Sequence, residues 1–212
     1  MSALVVSGTD TGIGKTVVAA MLMLALDAVY WKPVQSGTAG GTDTTTVAAL
    51  TGLGPERFIL ERYVLTEPLS PHRAAELDGI EINPHALALP DAGPEGRLLI
   101  VEGAGGLMVP ITRRTLYIDI FQHWGVPVVL VARTALGTIN HSLLSIEALR
   151  RRGIPIAGIV FIGDAIPDTE RTICEYAEVR RLGRLPPLAE LNAAALRAAF
   201  AANFRAEDFG GR

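Results

Sequence analysis

Cys174 is the single cysteine among 212 residues, so no disulfide can form within the chain and no thiol metal-ligand spacing exists. That usage fits a reducing compartment. An excess of one charge is also missing. Nineteen Lys and Arg against 22 Asp and Glu leave a net charge of −3, and the pI is near 5.8. No nucleic-acid or acidic-membrane surface is expected from that balance. Long hydrophobic runs are absent too. The longest, Val17–Leu26 and Val126–Ala132, fall well short of the roughly 20 apolar residues that span a bilayer. The opening Met1-Ser2-Ala3-Leu4-Val5-Val6 has no basic segment ahead of its apolar run, so no secretory signal is expected there. What is present is apolar material: 49% hydrophobic residues against 19% charged, with mean hydropathy +0.33. Such a chain can bury a core and is not globally disordered. A soluble, cytoplasmic protein is expected.

Short apolar runs alternate with helix-length stretches. Leu4–Ser7, Val29–Val34, Leu98–Val101, Val126–Ala132 and Ile156–Ile162 read as strands, continuous enough in hydrophobicity to be covered on both faces. Helices are expected at Lys15–Asp27, Asp43–Leu50, Leu116–Trp124, Ile139–Arg151 and Asp168–Arg180. A short strand at Leu182–Leu185 and an Ala-rich helix at Asn192–Phe204 follow. This alternation predicts an α/β, doubly wound, mainly parallel sheet in a single domain. The Gly/Pro-rich loops Gly37–Thr42 and Pro90–Gly96 are too short to link domains. In such sheets ligands bind beyond the carboxyl ends of the strands, so chemistry is sought there.

Beyond the first strand lies Gly8-Thr9-Asp10-Thr11-Gly12-Ile13-Gly14-Lys15-Thr16, opening a helix. This is a P-loop with one departure: five residues separate Gly8 from Gly14 where four are usual, and Thr9 takes the usual Gly position. Small residues let backbone N–H groups turn toward phosphate oxygens, and the helix N-terminus adds its dipole. Lys15 would reach the β- and γ-phosphates and Thr16 would coordinate Mg²⁺. Glu102 closes the apolar run Leu98–Val101 ahead of Gly103-Ala104-Gly105-Gly106, where it can hold Mg²⁺ or cap a solvated turn. Lys32, in Lys32-Pro33-Val34-Gln35-Ser36-Gly37, either brings a second cation to the phosphate site or snorkels from a strand end. Asp43 reads equally as a metal carboxylate or a helix N-cap. His72, His85, His123 and His141 have no metal spacing, and Cys174 reads as a packing residue.

Five blocks, in order, carry a resemblance. Gly8–Thr16, Lys32–Gly37, Leu69–Ala75, Val101–Gly106 and Leu136–His141 closely resemble the dethiobiotin synthetases. The resemblance implies a P-loop NTPase-like fold and a cytoplasmic homodimer. Its implied activity is an ATP- and Mg²⁺-dependent ligase closing the ureido ring of dethiobiotin from 7,8-diaminononanoate and CO₂. By the same resemblance, Thr16, Asp43 and Glu102 hold Mg²⁺. Thr11, Gly12, Ile13, Gly14, Lys15 and Thr16, with Asp43, Glu102, Gly103, Ala104 and Gly105, form the nucleotide site. Lys32 is the implied catalytic lysine, and Thr9 and Ser36 are implied substrate contacts. Gly137, Thr138, Ile139 and Asn140 would receive the substrate carboxylate from the neighbouring subunit, at a helix N-terminus suited to an anion. Pro186, Pro187 and Leu188 match the segment bordering the adenine. Ile162 stands where many relatives carry Asn, so base recognition would rest on backbone groups and apolar packing.

The alternative of a different class is a regulatory P-loop ATPase of the partition or cell-division type. Those proteins carry a signature Lys early in the loop, where this chain has Asp10, and no basic or amphipathic partner surface is evident. The synthetase half of a cobyrinate amidase is a second enzymatic alternative, but no glutaminase segment with a catalytic Cys follows.

Overall fold

The computed structural model describes residues 3–90 and 96–210. Met1 and Ser2 of the opening segment, and residues 91–95 of the Pro90–Gly96 loop, lie outside them. In chain order the elements are β1 (Ala3–Gly8), α1 (Lys15–Leu26), β2 (Val29–Trp31), β3 (Val34–Ser36), α2 (Asp43–Thr51), β4 (Phe58–Ile59), β5 (Tyr63–Leu65) and α3 (Pro71–Asp78). There follow β6 (Leu99–Gly106), α4 (Tyr117–Trp124), β7 (Val128–Arg133), α5 (Thr138–Arg151), β8 (Ile156–Ile162), α6 (Pro167–Tyr176), β9 (Arg181–Leu185) and α7 (Ala193–Asn203). The described residues form a seven-stranded sheet in the order β4-β2-β6-β1-β7-β8-β9. Its pairings are parallel throughout. A small second sheet pairs β3 with β5.

Alternation along the strands explains the layers. Val6, Ile100, Tyr30, Val129 and Val160 point to one face, where they meet α1, Val47 of α2, and Leu196 and Phe200 of α7. Val5, Leu99, Val101, Trp31 and Val128 point to the other, against α3 and α4. Further along that second face, Leu130, Ile159 and Phe161 pack with Ile146 of α5 and Ile173 of α6. Both faces are covered, as a parallel sheet requires. The doubly wound, mainly parallel sheet expectation holds, and so do most element positions.

Three segments differ from expectation. Val29–Val34 is not one strand. Pro33 has no N–H to give a ladder, so the chain leaves the main sheet after Trp31 and Val34–Ser36 pairs with Tyr63–Leu65 instead. The strand ending at Glu102 continues to Gly106, which is in register with Gly8, so the glycines belong to the sheet rather than to a turn. The helix expected over Asp168–Arg180 starts at Pro167 and stops at Tyr176, because Glu178 takes φ 43° and turns the chain toward β9. Two- and three-residue strands such as β4 and β5 carry too little periodicity to be read from sequence.

Gly183 sets how closely α7 approaches the sheet. A Cβ there would collide with the Asn203 carbonyl oxygen and the Phe204 ring. Gly183→Ala is therefore expected to lower unfolding free energy by about 1–3 kcal/mol, the scale of an overpacked core. An unchanged denaturation midpoint would contradict that close approach.

Candidate active site

The loop from β1 to α1 is built so that backbone faces the cavity. Gly14 adopts φ 95°, and a Cβ there would lie 2.7 Å from Ile162 Cδ1 at the end of β8, so both conformation and space demand glycine. Ile13 is buried, its side chain folded over Gly8, and contributes backbone rather than side chain. The start of α1 has no side-chain cap and no acidic residue in its first turn. Its N–H groups and dipole are thus free for an anion. Lys15 is buried and its Nζ donates to the Asp10 carbonyl at 2.9 Å.

Facing this loop is a charge cluster assembled from three elements. The chain break at Pro33 leaves Lys32 beyond the end of β2, 3% exposed. Its Nζ lies 2.5 Å from Asp43 Oδ2 and 3.2 Å from Glu102 Oε1, and donates to the Gly103 carbonyl at 3.0 Å. The Thr16 hydroxyl is 3.0 Å from Glu102 Oε1 and 3.3 Å from Asp43 Oδ1. From below, Tyr30 Oη donates to Glu102 Oε2 at 2.9 Å. Lys32 is therefore a paired interior cation, not a snorkelling one. Asp43 is not the N-cap of α2 either. Thr42 holds that position in a capping box with Thr45, which leaves the Asp43 carboxylate for Lys32 and Thr16.

The electrostatics follow from burial and pairing. Burial alone would lower the Lys32 amine, but Glu102 and Asp43 outweigh it and hold it above its ordinary value. Burial pushes the Glu102 carboxyl up against the opposing pull of Lys32. For Asp43 burial works upward, and the charge and hydrogen bond of Lys32 prevail, leaving it lowered. Lys15, whose burial outweighs the nearby carboxylates, is lowered to about 8.

Thr11, Gly12, Gly14, Lys15, Thr16, Lys32, Ser36, Asp43, Glu102, Ala104 and Gly105 all line one cavity of about 460 Å³. Ser36 Oγ is buried there without a hydrogen-bond partner among the described residues. Gln35 and the segment Pro68–Pro71 also line it, and sequence reasoning gave neither a role. Gln35 Oε1 accepts from the Asp43 N–H at 3.0 Å while its Nε2 donates to the Ser36 and Gly37 carbonyls. It thereby latches the start of α2 onto the β3 turn. Other residues fall elsewhere. Thr9, Gly137 and Thr138 border a separate cavity of about 100 Å³ with Arg133 and His141. Ile139 and Asn140 follow in the first turn of α5. Pro186, Pro187 and Leu188 come after β9, with Leu188 packed on the core, and do not line the Lys32 cavity.

Among the described residues no three His, Cys, Asp or Glu side chains gather as a metal cage. Two carboxylates and one hydroxyl beside a phosphate cradle are instead a hard-oxygen set that suits Mg²⁺, which completes its shell with phosphate oxygens and water. No helix among them is long and apolar enough to cross a membrane.

A family model described as an AAA domain matches residues 2–195. The ATP-dependent dethiobiotin synthetase of Novosphingobium aromaticivorans is 58% identical over 209 residues, covering 99% of this chain and 100% of its own. That of Rhodopseudomonas palustris is 60% identical over 206 residues, covering 97% and 96%. Among solved structures, the Pyrococcus furiosus cell division ATPase MinD matches with TM-score 0.55 and 14% identity, covering 94% of this chain and 97% of that one. The septum site-determining protein MinD of Pyrococcus horikoshii, complexed with Mg-ADP, matches with TM-score 0.54 and 12% identity, covering 95% of each chain. These last two likenesses speak for a P-loop NTPase fold alone.

The lowered Lys15 amine makes phosphate binding pH-dependent. Below about pH 8 it is already charged, whereas above that it is mostly neutral in the free protein and must take up a proton to meet phosphate. Nucleotide affinity should therefore fall as pH rises past about 8. Calorimetry in buffers of different ionisation enthalpy should show proton uptake there, and Lys15→Arg should abolish it. Equal affinities from pH 7 to 9.5 would contradict a neutral Lys15 in the free protein.

Proposed function

The chain belongs to the family of ATP-dependent dethiobiotin synthetases, and from that premise we propose that the Lys32 cavity is where its ligase reaction of biotin biosynthesis takes place. The substrates are ATP, CO₂ and 7,8-diaminononanoate. One amine captures CO₂ as a carbamate, and a carbamate oxygen attacks the γ-phosphorus to give a carbamic–phosphoric anhydride and ADP. The second amine then attacks the carbonyl carbon. The C–O bond breaks, phosphate leaves with one oxygen that came from CO₂, and the ureido ring closes.

The observation that carries this reading is Lys32, a buried ammonium held between Glu102 and Asp43 opposite the P-loop. Lys32 comes to the cavity from the end of β2, outside the P-loop, which suits it to an anion beside the triphosphate. A carbamate brought against a γ-phosphate places two anions side by side, and a preorganised charge there stabilises the crowded transition state. Lys15 and the α1 N-terminus hold the β- and γ-phosphates. Thr16, Asp43 and Glu102 would hold Mg²⁺, which supplies neutralisation of the phosphate oxygens. Ser36, whose buried hydroxyl has no partner among the described residues, takes a substrate polar group. The amines act as nucleophiles themselves, and positioning does most of the catalysis. Pro186, Pro187 and Leu188 border the base, with Ile162 packed under the loop at Gly14. The cell-division alternative gains no support from the MinD likeness, which extends to fold only.

The substrate is a nine-carbon chain with its carboxylate at one end and its reacting diamine near the other, the two ends roughly 9–10 Å apart when extended. With the diamine at Lys32 and Ser36, that carboxylate lies outside the phosphate cradle. Gly137, Ile139 and Asn140 are exposed at a helix start whose Thr138 is buried, but on the same chain Gly137 and Thr138 border a different cavity from Lys32. A two-fold homodimer in the cytoplasm, each site completed by residues 137–140 of the other copy, resolves the distance.

Two measurements check this. ATP turnover should require both CO₂ and the diamine, and Lys32→Ala should lower it by roughly 10²–10³ while leaving nucleotide binding in place. Near-normal turnover would return Lys32 to a structural role, and stimulation by DNA or lipid instead would favour the regulatory alternative. Asn140→Asp sets a like charge where the carboxylate docks. Mixed with Lys32→Ala chains under exchange, it should restore up to about a quarter of parent activity, since half the dimers are mixed and each has one intact composite site. No recovery in dimers shown to be mixed would place both halves of the site on one chain.

A further inference from the structure

The two carboxylate oxygens of Glu102 have partners of different kinds. Oε1 meets Thr16 Oγ1 at 3.0 Å and Lys32 Nζ at 3.2 Å, and both of those side chains line the open cavity. Oε2 accepts from Tyr30 Oη at 2.9 Å. Tyr30 is fully buried, with the Phe58 ring edge-on at 6.2 Å. Its phenol cannot turn to another acceptor without displacing the core. Strand register explains the aim: Tyr30 pairs with Ile100 across β2 and β6, so Glu102 is the next residue along β6 on the same face. Tyr30 and Lys32, two residues apart, thus reach the carboxylate from opposite sides.

A free carboxylate offers either oxygen to a cation, and a fixed donor on one oxygen removes that choice. We propose that Tyr30 is a positioning residue, whose hydroxyl holds Glu102 Oε2 and keeps Oε1 directed at the phosphate and metal side of the cavity. The inference rests on the magnesium reading of Thr16, Asp43 and Glu102. It assigns to a core tyrosine the part that outer hydrogen bonds play for metal-ligating carboxylates, where their loss typically costs about 10–100-fold in metal affinity.

Tyr30→Phe keeps the ring and removes only the hydroxyl. Calorimetric titration of ATP into the full-length protein, first in EDTA and then across a Mg²⁺ series, separates the roles. Metal-free ATP affinity should stay within about twofold, while the Mg²⁺ concentration for half-maximal tightening should rise roughly 10–100-fold. In a Glu102→Gln background, which itself shifts the Mg²⁺ series, adding Tyr30→Phe should change nothing further. An unshifted Mg²⁺ series in Tyr30→Phe, beside a shifted one in Glu102→Gln, would overturn the proposal and leave the metal reading standing. An unshifted series in Glu102→Gln would sink the metal reading itself. Loss of metal-free ATP binding in Tyr30→Phe, or an equal shift in both backgrounds, would assign the hydroxyl to the fold and overturn the proposal as well.

Discussion

An ammonium taken out of water must be paired, or the fold that buries it fails. Lys32 imposes that constraint on two separate parts of this chain, β6 and the start of α2. Glu102 reaches it from β6, Asp43 from the first turn of α2, and the Gly103 carbonyl from the strand continuing past Glu102. Each element has a local reason to arrive. Pro33 ends β2, the Thr42 capping box frees Asp43 from capping duty, and Gln35 ties the α2 N–H to the β3 turn. Removing either carboxylate would strip Lys32 of one of its two ion-pair partners, so the cluster holds the site geometry.

The opposite wall is arranged to change state. Lys15 donates to its own loop at Asp10, and burial lowers its amine, so the loop accommodates it in the absence of phosphate. Phosphate supplies a stronger partner, and above about pH 8 the amine takes up a proton from solvent to meet it. One wall is thus fixed by pairing and the other is responsive, which is a sensible division for a site that must hold a nucleotide and a second anion together.

Much of this was legible in the sequence because it rests on short-range rules. The P-loop glycines, the buried strands and the helices expected from Lys15, Asp43 and Ile139, the last starting one residue earlier at Thr138, follow from periodicity and local backbone demands. Lys32, Asp43 and Glu102 could each be singled out, yet from the residues alone each retained a bland reading, and the ordered family blocks decided their roles. What the sequence concealed depends on tertiary contact. Tyr30 looks like one more apolar strand residue until β2 lies beside β6, and Gln35 looks like a loop polar residue until α2 docks on it. The break at Pro33 was visible as a proline, but the pairing of β3 with β5 was not, since three-residue strands hold no pattern.

Phosphorylation of a carbamate in the Lys32 cavity has a direct signature in the fate of one oxygen. Turnover with ¹⁸O-labelled CO₂, stopped before exchange with water, should release inorganic phosphate carrying one labelled oxygen for each ring closed. Phosphate free of that label, with the ring nonetheless formed, would mean that the carbamate never attacks phosphorus, and would contradict the central role of a second anion beside the P-loop.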